Sequence, residues 1–256
     1  MSDILCTIKD GIATVTMNRP EKRNALNTAI IDGFRTTFQQ LETNTDVRVI
    51  VIRGEGKVFC SGIDLRELSS RQQGDTDPET GVVQMFQQIE RSRHPTIAMV
   101  QGDALAGGCE LALHCDLRVV SDNARFGMPL ARLGLIVPFP LGQKLVEIIG
   151  PAFTKQVLLT GQPIDAKRAY EIGMIHQLVS PNELENATTT LARTIADNAP
   201  LSLAGMKAII LRSISLRETI DAADLHAMVS RARKSDDAKE GVLAMLEKRK
   251  PVFHGQ

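Results

Sequence analysis

Residues 96–120 read TIAMVQGDALAGGCELALHCDLRVV. Thr96–Val100 is a short apolar run bounded by a turn signal, which suits a buried strand. A glycine-rich turn follows, the chain becomes helical from Gly107, and Leu117–Val120 resumes as a strand. Alternation of this kind predicts an α/β domain with parallel pairing. Outward from it, Val47–Ile52 is a nearly unbroken β-branched run interrupted only by Arg48, as expected for a strand covered on both faces. A helix is expected near Val82–Ile89. At the start, Ile4–Ile8 and Ile12–Met17 flank Lys9-Asp10-Gly11, a hairpin signal. Leu26, Ile30, Ile31, Phe34, Phe38 and Leu41 fall on one face of a helix beginning near Asn27.

Beyond Pro181 no strand pattern remains. Leu184, Leu191 and Ile195 indicate one helix, Leu203, Met206, Ile209 and Ile210 a second, and two more reach Lys250. The expected organisation is a core at 1–180 and a helical region at 181–256. The polar stretch Ser69–Thr80 (SSRQQGDTDPET) reads as an exposed, mobile loop.

In 256 residues, 30 basic and 30 acidic side chains cancel, so neither nucleic acid nor a membrane surface is an expected partner. Four cysteines without a CxxC pair, and no charged-then-apolar leader, point to free thiols in a reducing cytoplasm. No apolar run approaches the roughly 18–20 residues that cross a bilayer. Five histidines show no metal spacing, and no metal is expected. His114, beside Cys115 in an apolar stretch, reads as a packed helix residue. The chain lacks a GxSxG elbow, a GxGxxG turn after a strand, and a P-loop.

The turn Ala104-Leu105-Ala106-Gly107-Gly108-Cys109-Glu110 stands out as a place for chemistry. Backbone N–H groups at a helix start are unpaired and carry the positive end of the dipole. Glycines let an acceptor approach them, and Glu110 lies near the same helix end. That suits an oxyanion hole beside a carboxylate base. Taken alone, the stretch reads better as a tight strand–helix turn with Glu110 facing the dipole. A second turn, Val58-Phe59-Cys60-Ser61-Gly62-Ile63-Asp64-Leu65, also places small residues after a buried strand, with Asp64 available as a cap. Two such turns are able to donate one N–H each to a single oxygen.

The segments NRPEKRNAL, FCSGIDL and ALAGGCELAL, with the LEKRKPVF tail, resemble the crotonase (enoyl-CoA hydratase/isomerase) superfamily in order and spacing. The resemblance implies a spiral of ββα turns, a C-terminal helical region that trimerises, and often a dimer of trimers. It implies an acyl-CoA thioester as substrate, coenzyme A entering only as part of it and no permanently bound cofactor. By the same resemblance, Ile63 and Gly107 N–H groups hold the thioester oxygen, and Glu110 is the acid/base. Arg23, Ala25, Ile63, Asp64, Leu65, Arg66, Gly107 and Gly108 line the coenzyme A path. Lys248, Lys250 and Phe253 reach the adenine or phosphate end of a neighbouring subunit's ligand.

One departure matters. Family hydratases carry a second glutamate where this chain has Leu130, and the stretch after it reads Leu135-Ile136-Val137-Pro138-Phe139-Pro140. A leucine neither orients water nor shuttles a proton. Hydration and isomerisation head the expected reactions, with decarboxylation of a malonyl-type thioester or thioester hydrolysis as alternatives. A non-catalytic acyl-CoA-binding or protein-binding relative is the competing class. Pro138, Phe139 and the Ser69–Thr80 loop are the expected acyl pocket.

Overall fold

The computed structural model describes residues 2–70, 78–214 and 223–254. Strands β1 (Ile4–Lys9) and β2 (Ile12–Met17) form an antiparallel hairpin. Its two turn residues, Asp10 and Gly11, both have positive φ (51° and 76°), the twist a two-residue hairpin demands. Helix α1 (Thr28–Thr43) is capped by Asn27, whose side chain accepts from Ile30 N–H. Its buried face is Ile30, Ile31, Phe34, Phe38 and Leu41, as the periodicity predicts. Leu26 is buried too, but pairs with Ile63 outside any helix.

The chain continues through β3 (Val49–Gly54), α2 (Leu65–Ser70), α3 (Pro78–Arg91), β4 (Thr96–Val100), β5 (Ala104–Leu105), α4 (Gly107–His114), β6 (Leu117–Ser121) and β7 (Arg125–Gly127). Then come α5 (Phe139–Thr160, broken at Gly150-Pro151), β8 (Ile164–Asp165), α6 (Ala166–Glu171) and β9 (Gln177–Val179). The main sheet runs β1-β2-β3-β4-β6-β9, parallel except for the hairpin. A second, small sheet of order β5-β7-β8 stands beside the turns that leave it.

Strand β3 explains how the sheet is held. Ile50 and Ile52 point into the larger apolar cluster with Phe34, Phe86 and Leu111. Val49 and Val51 point the other way, against Leu184, Ala192 and Ile195. These three belong to α7 (Leu184–Ala196), so the first helix of the 181–256 region covers the second face of the sheet. Helices α8 (Pro200–Ile214), α9 (Ala223–Lys234) and α10 (Asp236–Leu246) follow, and among the described residues no strand lies beyond Val179. No helix among the described residues is long and apolar enough to cross a membrane.

The expected loop at Ser69–Thr80 needs correction at both ends. Ser69 and Ser70 finish α2, and Pro78 opens α3, where its fixed φ and missing N–H suit a first helical position. Residues 71–77 lie outside the described residues.

Asn24 ties the turn before α1 to the turn after β3. Fully buried at φ 52°, its Oδ1 accepts from Arg19 N–H and its Nδ2 donates to the carbonyls of Glu55 and Val58. Asn24→Ala leaves buried backbone groups unpaired in a conformation alanine disfavours. Urea unfolding should show a loss of about 1–3 kcal/mol; an unchanged midpoint would mean the two turns are held elsewhere.

Candidate active site

The two glycine-bearing turns meet. Cys60 and Ala104 form a parallel bridge, with Leu105 N–H donating to the Cys60 carbonyl at 3.0 Å. A Cβ on Gly108 would sit 2.1 Å from that carbonyl oxygen, so only glycine permits the approach. Leu26 bridges Ile63 through Leu26 N–H to Gly62 O (2.8 Å) and Asp64 N–H to Leu26 O (3.0 Å). That pattern leaves Ile63's own N–H facing away from Leu26. Gly107 is the first residue of α4, so its N–H has no intrahelical acceptor. Neither N–H has an acceptor among the described residues. A Cβ built on Gly107 would lie 3.7 Å from Ile63 N, and one built on Gly62 would lie 3.2 Å from Gly107 N. The two amides are therefore close neighbours.

Ala106, just before Gly107, holds φ 49° and ψ −120°, a conformation that costs an L-residue about 1–3 kcal/mol. Ala106 N–H donates to Gly127 O at 2.7 Å, and its carbonyl accepts from Glu110 N–H at 3.1 Å. At the other end of α4, buried Arg118 donates to the carbonyls of Ala112, Cys115 and Met174. A cation there satisfies the last carbonyls and favours the helix dipole.

Glu110 is fully buried, and neither carboxylate oxygen has a hydrogen-bond partner among the described residues. Loss of solvation holds its carboxyl well above the ordinary value of 4.5, and the Lys144 ammonium opposes that only in part. Lys144, itself nearly buried, pairs with Glu90 and Glu147. His114 is a packed helix residue, as the sequence suggests: buried, and stacked on Phe86 at 5.1 Å.

Ile63, Gly107 and Glu110 share the wall of a cavity of about 500 Å³. Arg23, Ala25, Asp64, Leu65 and Arg66 line it as well, so the expected site residues converge with one exception. Gly108 is not on the wall and serves the close contact with Cys60. Asp64 is already engaged: Oδ2 accepts from Arg19 at 3.3 Å, and Oδ1 accepts from Arg66 N–H at the start of α2. Arg19 also donates to the Ala25 carbonyl at 2.8 Å, a positioning contact between residues six apart that the local sequence does not signal. Arg23 has φ 54°; its carbonyl accepts from Ser61 N–H and its exposed guanidinium lies 3.6 Å from Asp103.

The apolar wall comprises Val82, Val83 and Phe86 of α3, then Met128, Leu130, Leu133, Leu135, Val137 and Pro138, Leu141 of α5, and Met245 and Leu246 of α10. Pro138 is on it and Phe139 is not. Lys248, Lys250 and Phe253 are exposed beyond α10 and outside this wall.

The family profile described as enoyl-CoA hydratase/isomerase matches residues 7–256. The chain belongs to that family. It is 32% identical to the short-chain-enoyl-CoA hydratase of Clostridium acetobutylicum, covering 98% of this chain and 97% of that one. A solved methylmalonyl-CoA decarboxylase in complex with 2-nitronate-propionyl-CoA superposes with a TM-score of 0.90 at 29% identity, covering 99% of this chain and 98% of that one. Carnitinyl-CoA hydratase from Mycobacterium avium gives a TM-score of 0.87 at 32% identity, with both chains covered completely. The architecture is thus the crotonase fold, and the chain is an acyl-CoA-processing enzyme of the enoyl-CoA hydratase/isomerase family.

In this family member the buried Glu110 has a measurable signature. Below about pH 4.5 the carboxyl is protonated both folded and unfolded; above it the unfolded chain ionises first, so folding takes up a proton and stability falls. The stability is fully present below 4.5 and lost as pH rises toward and through the raised folded value. Glu110→Gln should therefore be the more stable protein at pH 8, with the advantage vanishing near pH 4. Denaturant midpoints across pH decide this, and parallel pH curves for the two proteins would show that Glu110 is not buried neutral.

Proposed function

We propose that this enzyme shifts the double bond of an enoyl-CoA thioester, using Glu110 as its single acid/base and the Ile63 and Gly107 N–H groups as an oxyanion hole. The observation that carries this reading is that Glu110 is the one fully buried ionisable group on the cavity wall among the described residues. Leu130 stands on the same wall, where a second carboxylate would be needed to handle water.

Two N–H donors on the thioester oxygen stabilise the enolate, each worth about 2.7–4 kcal/mol in the transition state. Glu110 removes a proton from the α-carbon of a 3-enoyl thioester. The electrons move into the oxygen-centred dienolate, and the same carboxyl returns the proton at the γ-carbon. A base whose affinity for protons is raised by burial suits both halves of this exchange. At the mouth, Lys22, Arg23 and Arg66 offer positive charge to the coenzyme A phosphates, with Ala25, Asp64 and Leu65 shaping the path between.

A second reading, decarboxylation of a malonyl-type thioester, rests on the likeness to methylmalonyl-CoA decarboxylase. There the oxyanion hole stabilises the enolate as CO2 leaves, and protonated Glu110 supplies the α-proton.

The assembly belongs to the proposal. Leu201, Met206, Ile209 and Ile210 of α8 are 62–88% exposed in the isolated chain, a cluster of apolar side chains that soluble monomers seldom present. We take it as the contact of a homotrimer, single or paired into a dimer of trimers. In that assembly Lys248, Lys250 and Phe253 are offered to a neighbour's ligand.

Product analysis with 3-enoyl-, 2-enoyl- and malonyl-type CoA esters tests the reaction. Isomerisation should be fastest, and Glu110→Gln should lower it by about 10²–10⁴ while leaving KM nearly unchanged. Leu130→Glu should impair isomerisation by adding a second negative group beside Glu110. Fast hydration by the unmodified protein, or full activity in Glu110→Gln, would overturn the proposal.

A further inference from the structure

His114 lies one helical turn after Glu110, and its Nδ1 is 2.8 Å from the Glu110 main-chain carbonyl. A carbonyl oxygen only accepts, so Nδ1 carries the proton. The same Nδ1 is 3.7 Å from Glu110 Oε2. Both carboxylate oxygens otherwise lack a partner among the described residues. His114 itself is outside the cavity wall, behind Glu110 and Phe86, which are both on it. The ring is fixed by stacking on Phe86 at an interplanar angle of 22°.

We propose that His114 is a positioning residue for Glu110, its Nδ1–H resting on the main-chain carbonyl and shifting to the carboxylate whenever Glu110 is ionised. This rests on the reading of Glu110 as the acid/base. A closing of less than 1 Å converts the 3.7 Å separation into a hydrogen bond of ordinary length. Such a bond favours the ionised base and is released when Glu110 holds the substrate's proton, so it acts on one half of the cycle only.

The surroundings keep the imidazole neutral, as a switchable N–H donor must be. Burial pushes its pKa down to about 4, against a partial upward pull from Glu90 of α3 and the bond to Glu110 O. Lys144 of α5 and Arg118 of β6 add to the downward push. Lys144 is held between Glu90 and Glu147, and Arg118 is bonded to the main-chain carbonyls of Ala112, Cys115 and Met174.

His114→Phe keeps the stacked ring and removes the donor. The acidic limb of the kcat–pH profile should move up by about one unit, a tenfold loss on that limb, with KM unchanged and rates converging with the unmodified protein at high pH. His114→Gln, which restores an N–H, should return the limb part of the way. An unmoved limb in a folded His114→Phe overturns the proposal. Where that variant does not fold, the 15N resonance of His114 Nδ1 in the unmodified protein serves. It should move at the pH where Glu110 titrates and stay still in Glu110→Gln; a resonance indifferent to Glu110 is equally fatal. The Glu110→Gln activity separates the two levels. If it remains active, the acid/base reading has failed; if it is inactive and the His114→Phe limb is unmoved, only the role of His114 has.

Discussion

The site depends on how closely two backbones approach one another. Segment 60–63, leaving β3, and segment 104–108, leaving β4, are bridged at Cys60 and Ala104 with no side chain between them. A Cβ on Gly108 would lie 2.1 Å from Cys60 O, one on Gly102 2.0 Å from Lys57 O, and one on Gly62 2.8 Å from the Ala106 methyl. Each contact would exclude any other residue. Because the approach is so close, the N–H groups of Ile63 and Gly107 end up beside one another at the start of α4. Ala106 carries the remaining strain, held by its bonds to Gly127 and Glu110.

The same helix brings a carboxyl into an apolar interior, at a cost in stability. That cost is sustained by a sheet covered on both faces, with Phe34, Phe86 and Leu111 packed on one side and α7 on the other. Arg118 satisfies carbonyls at the end of α4, and Lys144 is paired with Glu90 and Glu147. Neither carboxylate oxygen of Glu110 has a hydrogen-bond partner among the described residues, and burial raises its proton affinity. Leu130 lines the same cavity as an apolar side chain.

Much of this was legible along the chain, for physical reasons. Strands β3, β4 and β6 are five or six residues long and buried, so composition reveals them, and the Asn27 cap and Asp10-Gly11 turn carry their own chemistry. Strands β5, β7 and β8 span two or three residues, too short to show alternation along the chain. Gly108 is expected as a ligand contact from the family resemblance, whereas the fold sets it against the Cys60 carbonyl; a glycine required for close packing and one required for ligand approach look alike in sequence. Arg19 carries no local signal, because its value lies in contacts with Ala25 and Asp64 that only the folded chain creates. Met245 and Leu246 reach the cavity from α10, more than a hundred residues beyond Glu110, with no local signal to connect them.

Infrared difference spectroscopy of a bound acyl-CoA with a 13C-labelled thioester carbonyl tests directly whether two main-chain N–H groups share one oxygen. Polarisation by Ile63 and Gly107 should move the carbonyl stretch to lower wavenumber than in free ligand, in the unmodified protein and in Glu110→Gln alike, since the donors belong to the backbone. A carbonyl band at its solution position in a saturated complex would contradict the oxyanion hole.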